Sequence, residues 1–125
     1  MTPISDWRVL VIEDEADSME VVKELFEHHQ VSCWAVGTAE EALAMIAEVQ
    51  PNLFVVDLAL PGMDGWGFLK TIKDDPNTAH IPAVAVTAYH SANVARQAID
   101  AGFRAYFPKP LDTMSFVREL SRMLG

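Results

Sequence analysis

The sequence predicts an α/β domain, an open and doubly wound parallel sheet with helices on both faces. Two observations lead to it. Short runs rich in Val, Ile, Leu and Phe alternate with segments whose apolar residues repeat at helical spacing, five of each. Most of the runs are almost continuously apolar, as strands covered on both faces are. Helices joining parallel strands by right-handed crossovers fall on both sides of the sheet. Five units are too few for an eight-stranded barrel.

The strands are expected at Val9–Ile12, Val31–Val36, Leu53–Val56, Ala83–Val86 and Ala105–Phe107. The first helix carries Met19, Val22 and Phe26 on one face, with Val21 and Leu25 beside them. Ala42, Leu43, Ile46 and Val49 form the second stripe, opened by Thr38 and Glu41 in capping-box spacing. Phe68, Leu69 and Ile72 mark a short third helix. Val94, Ala95, Ala98 and Ile99 mark the fourth, with Gly102 placed to end it. Phe116, Val117, Leu120 and Leu124 form the last, with Asp112 as its N-cap.

At 125 residues the chain has the length of one domain. Half its residues are hydrophobic and 22% are charged, which excludes intrinsic disorder. Nine Lys and Arg against eighteen Asp and Glu give a net charge of −9. Such a surface repels DNA phosphates and anionic lipid, so neither nucleic acid nor membrane is an expected partner. Cys33 is the single cysteine, so no disulfide framework exists and a reducing cytoplasm is the expected location. No apolar run approaches the ~18 residues of a membrane span. Met1 to Asp6 shows no secretory pattern.

Ligands of open α/β sheets bind outside the carboxyl ends of the strands. Polar residues follow the apolar runs at that edge: Glu13 and Asp14 after the first strand, Asp57 after the third, Thr87 after the fourth, Lys109 near the end of the fifth. Each alone has an ordinary reading, as a loop carboxylate, a β-branched strand residue or a surface lysine. Their coincidence at one edge is the signal. Two carboxylates ~5 Å apart at an effective dielectric near ~20 repel by roughly 3 kcal/mol, so three of them call for a cation. Hard oxygen donors suit Mg²⁺, with Mn²⁺ as a possible substitute. Neither His nor Cys stands at these ends, against a zinc site. A divalent ion, an ammonium and a hydroxyl around one aspartate are what phosphoryl transfer needs, with Asp57 as nucleophile.

These residues carry a resemblance. The chain resembles a receiver domain of the two-component response-regulator family, of the chemotaxis-regulator-like kind. The resemblance rests on Val9-Leu10-Val11-Ile12-Glu13-Asp14-Glu15, on Asp57-Leu58-Ala59-Leu60-Pro61-Gly62-Met63-Asp64-Gly65, on Val86-Thr87-Ala88, on Ala101-Gly102-Phe103 and on Tyr106-Phe107-Pro108-Lys109-Pro110. It runs from about Arg8 to the end of the chain.

The resemblance implies a flavodoxin-like sheet of strand order 2-1-3-4-5 in one receiver domain over residues 1–125, with its core from about 7 to 124. It implies that Asp57 accepts a phosphoryl group from a histidine kinase or a histidine phosphotransfer protein. Glu13, Asp14, Asp57 and the backbone carbonyl of Ala59 are then the Mg²⁺ ligands. Thr87 and Lys109 contact the phosphoryl oxygens, and Tyr106 is the switch aromatic that moves with Thr87. The surface of the fourth helix, fifth strand and fifth helix then changes for an output partner. The Lys109–Pro110 bond is expected to be cis.

Some positions depart from the commonest pattern. Glu13 stands where Asp is frequent and keeps the charge. Ala59 offers no polar side chain to an attacking water, and Tyr89 is bulky; both bear on how long the phosphorylated state lasts. Arg104-Ala105 stands where many receivers with DNA-binding partners carry acidic residues, which speaks against dimerisation through that face.

Other readings fit the residues less well. An aspartate-nucleophile phosphatase typically places a second Asp two residues after the first, where this chain has Ala59. A flavin module needs hydroxyls or glycines after the first strand, where this chain has Glu13-Asp14-Glu15-Ala16-Asp17. A degenerate receiver that only binds is disfavoured by the complete acidic, Thr and Lys set. His28, His29, His80 and His90 lack metal-ligand spacing, and Trp7, Trp34 and Trp66 read as packing residues.

Overall fold

The computed structural model describes residues 3–89 and 91–124. Met1, Thr2, His90 and Gly125 lie outside them, so the histidine pattern and the domain limits are followed only as far as those residues. The elements are a 3₁₀ turn (Ile4–Asp6), β1 (Arg8–Ile12), α1 (Ala16–His28), β2 (Ser32–Val36), α2 (Ala39–Val49), β3 (Leu53–Asp57), α3 (Gly65–Asp74), β4 (Ala83–Thr87), α4 (Ala92–Ala101), β5 (Ala105–Pro108) and α5 (Thr113–Leu124). The five strands form one sheet in the order β2-β1-β3-β4-β5. All four pairings are parallel.

Side chains alternate across a strand, and here both faces are apolar. Val9, Val11, Leu53, Val55, Val84 and Val86 pack with Val22 and Phe26 of α1 and Phe116 and Leu120 of α5. Leu10, Ile12, Phe54, Val56, Ala83 and Ala85 pack with Ala39 and Ala42 of α2, Phe68, Leu69 and Ile72 of α3, and Ala98 of α4. Continuous apolar runs are thus strands with two buried faces. On the α1/α5 face Phe116 meets the Phe107 ring edge-on at 4.7 Å.

Local signals act as their chemistry dictates. Thr38 Oγ1 accepts from the Glu41 N–H, while its hydroxyl meets the Glu41 carboxylate at 3.1 Å rather than leaving it for the Thr38 backbone. Asp112 Oδ1 accepts from the N–H groups of Met114 and Ser115 and so caps α5. Gly102 ends α4 at φ +123°. Val31 differs from expectation: it precedes β2, buried behind a turn in which Gln30 is left-handed. Val21 and Ile99 lie on their helical stripes, but at the rim, 44% and 50% exposed. The Lys109–Pro110 peptide is cis.

Among the described residues no helix is long and apolar enough to cross a membrane.

Candidate functional site

The carboxyl ends of β1, β3, β4 and β5 converge. β1 hands its direction to Glu13, whose N–H donates to Val36 O of β2 at 3.0 Å. Asp57 is the last residue of β3, and Thr87 the last of β4. The Lys109 N–H donates to Thr87 O at 2.9 Å, which sets Lys109 beside the end of β4. Parity then sorts the side chains. Asp57 continues the Val55 row on the α1/α5 face, and Thr87 continues the Ala83 and Ala85 row on the opposite face.

Glu13, Asp57 and Thr87 are buried, at 3%, 5% and 1% exposure. Asp14 is exposed. One oxygen from each of Glu13, Asp14 and Asp57 lies within 4.8 Å of the others. The Lys109 ammonium sits between two of them, 2.8 Å from Glu13 Oε2 and 3.1 Å from Asp57 Oδ2. The Ala59 N–H donates to Asp57 Oδ1 at 2.9 Å, and the Glu15 N–H donates to Glu13 Oε1 at 3.1 Å.

This electrostatic balance is incomplete. Burial pushes the Glu13 carboxyl up to about 7; Lys109 pulls it down, and the neighbouring Asp57 pushes it up again. A mostly apolar cavity of about 280 Å³ adjoins the carboxylates, walled by Val11, Val22, Val55 and Val86 among others. Burial lowers the Lys109 pKa, but hydrogen bonds to Glu13 and Asp57 outweigh it and hold the ammonium above its ordinary value. Two buried carboxylates therefore share one ammonium, with Asp14 open to water beside them. An all-oxygen donor set of this kind, lacking His and Cys, fits a hard divalent cation.

Thr87 Oγ1 accepts from the Tyr89 N–H at 3.0 Å, leaving its own proton to donate elsewhere. Tyr89 itself is 74% exposed. Tyr106 of β5 packs against the α2/α3/α4 face, with its ring half-buried. Its hydroxyl is buried with no hydrogen-bond partner among the described residues. Burial raises its pKa, and the Ser91 backbone is a polar neighbour outside hydrogen-bond geometry. The structure thus brings Glu13, Asp14, Asp57 and Lys109 into one cluster, with Ala59 on its rim. Thr87 is buried on the adjoining strand, and Tyr106 lies on the next.

The sequence reading has Gly65 in the motif after the third strand but not its packing role: it is the first residue of α3. A Cβ there would lie 2.5 Å from Asp57 O and 2.8 Å from Leu58 Cα, so α3 can start against the end of β3 only with a glycine. Asp64 signals the same helix start, since its Oδ1 accepts from the Gly67 N–H.

The response regulator receiver domain family matches residues 9–121. The polar-differentiation response regulator DivK of Brucella ovis is 30% identical over 117 residues, which cover 94% of this chain and 95% of that protein. The response regulator PleD of Caulobacter vibrioides is 34% identical over 120 residues, covering 92% of this chain but 26% of that longer protein. In fold, the signal receiver domain of a DNA binding response regulator from Colwellia psychrerythraea superposes with a TM-score of 0.87 at 23% identity, covering 95% of this chain and 98% of that one. With its strand order, its acidic edge and the match over nearly its whole length, the chain belongs to the response regulator receiver domain family.

Proposed function

We propose that the chain is a phosphorylation-switched signalling module in which Asp57 accepts a phosphoryl group from a histidine kinase or a histidine phosphotransfer protein. The observation that carries this reading is the buried Asp57 carboxylate held between the Ala59 N–H and the Lys109 ammonium, with Glu13 and Asp14 beside it. The reading takes residues 1–125 as one receiver domain and sets it in the cytoplasm.

In this mechanism Glu13, Asp14, Asp57 and the Ala59 carbonyl hold Mg²⁺, or Mn²⁺ in its place. Bound there, the ion supplies charge neutralisation for the phosphoryl oxygens. An Asp57 carboxylate oxygen attacks the phosphorus of a phosphohistidine. An acyl–phosphate O–P bond forms, the P–N bond breaks, and its electron pair leaves with the imidazole, which takes a proton from solvent. Lys109 follows the growing negative charge, which it can do because it already bridges Glu13 and Asp57. The Thr87 hydroxyl donates to a phosphoryl oxygen while still accepting from Tyr89. Its shift lets Tyr106 relocate, which reshapes the surface of α4, β5 and α5 for an output partner. The chain is a phosphoacceptor and not a turnover enzyme. Ala59, with no polar side chain, leaves the acyl phosphate slow to hydrolyse.

Transfer from a phosphorylated histidine phosphotransfer protein tests the reading. Label passes to this chain with Mg²⁺ present and fails to pass with chelator. Transfer independent of the metal, or no transfer from any phosphohistidine or acyl-phosphate donor, contradicts it.

A further inference from the structure

We propose that Glu40 is a positioning residue for the acid site: its carboxylate braces the loop after β3 and thereby aims the Ala59 backbone. The inference rests on the proposed Mg²⁺ site and adds a residue outside it.

Glu40 is the second residue of α2, a place where a carboxylate is favoured by the helix N-terminus. Its Oε2 accepts from the Met63 N–H at 3.3 Å, across 23 residues of sequence. The same carboxylate stands close against Gly62. A Cβ at position 62 would stand 2.9 Å from Oε2 and 3.6 Å from Oε1. Gly62 has φ +68°, the left-handed region that disfavours any side chain. The Pro61–Gly62–Met63 turn is therefore shaped twice for this contact, once by its backbone conformation and once by the space the carboxylate fills.

The brace has a mechanical consequence. From Asp57 the loop runs through Leu58 and Leu60, both buried in the α2/α3/α4 core, with Ala59 exposed between them. The Ala59 N–H is tied to Asp57 at one end of the loop. Glu40 ties the other end, at Met63, to a helix that is itself packed on the sheet through Ala39 and Ala42. Between these ties the Ala59 peptide has little freedom, so the place of its carbonyl, the proposed backbone ligand, is set before an ion binds. Groups that orient metal ligands typically change affinity by ~10–100-fold when removed. Glu40 is exposed and acts through a loop, so its effect lies at or below the bottom of that range.

The experiment measures Mg²⁺ binding to the whole chain by titration calorimetry, for the unchanged protein and for Glu40→Ala and Glu40→Gln. The amide oxygen of Gln can still accept from Met63 but carries no charge. Weakening by about three- to tenfold in Glu40→Ala, with Glu40→Gln within about twofold of the unchanged chain, is the expected result. Equal weakening in both variants assigns the effect to charge and overturns the bracing role, as does equal affinity in all three proteins. If the unchanged chain binds no Mg²⁺, the site reading fails first and the brace falls with it, a result seen before any variant is compared.

Discussion

The Lys109 ammonium is closer to Glu13 than to Asp57, 2.8 Å from Oε2 of the one and 3.1 Å from Oδ2 of the other. The cation beside Asp57, the proposed phosphoacceptor, is thus anchored on the carboxylate that follows β1. Lys109 holds the acid edge together in the absence of metal, and its second partner remains when Asp57 is modified.

Stability of the metal-free protein should fall as pH rises. Glu13 titrates near 7 when folded against 4.5 unfolded, so the folded state binds the proton more tightly. The stabilisation is complete below the unfolded value and is lost as pH rises through about 7; its ceiling is on the order of 3 kcal/mol. Urea unfolding between about pH 5 and about pH 8 in chelator should show that decline. Millimolar Mg²⁺ should flatten it, because the cation favours the ionised carboxylates.

Lys109→Met should leave Glu13 and Asp57 facing one another without their ammonium. Breaking such a buried pair costs about 3 kcal/mol at high pH. The loss should shrink at lower pH as Glu13 takes up its proton. Mg²⁺ should then raise the melting point of the variant more than that of the unchanged chain.

Gly65→Ala should destabilise the fold by about 1–3 kcal/mol, because its Cβ would meet the Asp57 carbonyl at 2.5 Å. The relief must come from the end of β3 or the start of α3, both of which position Asp57. Thermal melting and Mg²⁺ titration should therefore both show a loss. A loss in melting alone would mean that α3 moves and the site does not.

The strand ends are legible in the sequence because short apolar runs of this length, alternating with helical stripes, read as doubly covered strands, and a polar residue after most of them marks the edge. Both buried faces of β1, β3 and β4 follow from that pattern. What is not legible depends on distance between separate elements. Nothing in the local sequence of Glu13 shows that Lys109, 96 residues away, will sit 2.9 Å from its Oε1. Nothing at Gly65 shows that Asp57 O will occupy the space of its missing Cβ. Gln30 and Gln50 adopt left-handed helix ends that glycine usually marks, so those terminations are silent in sequence.

The buried Tyr106 hydroxyl has no hydrogen-bond partner among the described residues, which holds this ring position at a cost of about 1–3 kcal/mol. Tyr106→Phe should therefore be neutral or stabilising by up to about 1 kcal/mol. It should also favour the ring position seen here over the relocated one, so that a beryllofluoride mimic shifts α4 resonances less completely. Thr87→Ala should block the same shift from the other end while phosphoryl uptake continues. A full shift in Thr87→Ala removes Thr87 from the coupling.

The identity of the phosphoacceptor is the centre of the account. The most direct measurement is incubation with acetyl phosphate and Mg²⁺, reduction of the acyl phosphate by borohydride, and peptide mapping of the reduced residue. The account predicts one modified residue, Asp57, no modification of folded Asp57→Asn, and none in chelator. Modification at Asp14 or another carboxylate, or equal uptake by Asp57→Asn, would contradict it.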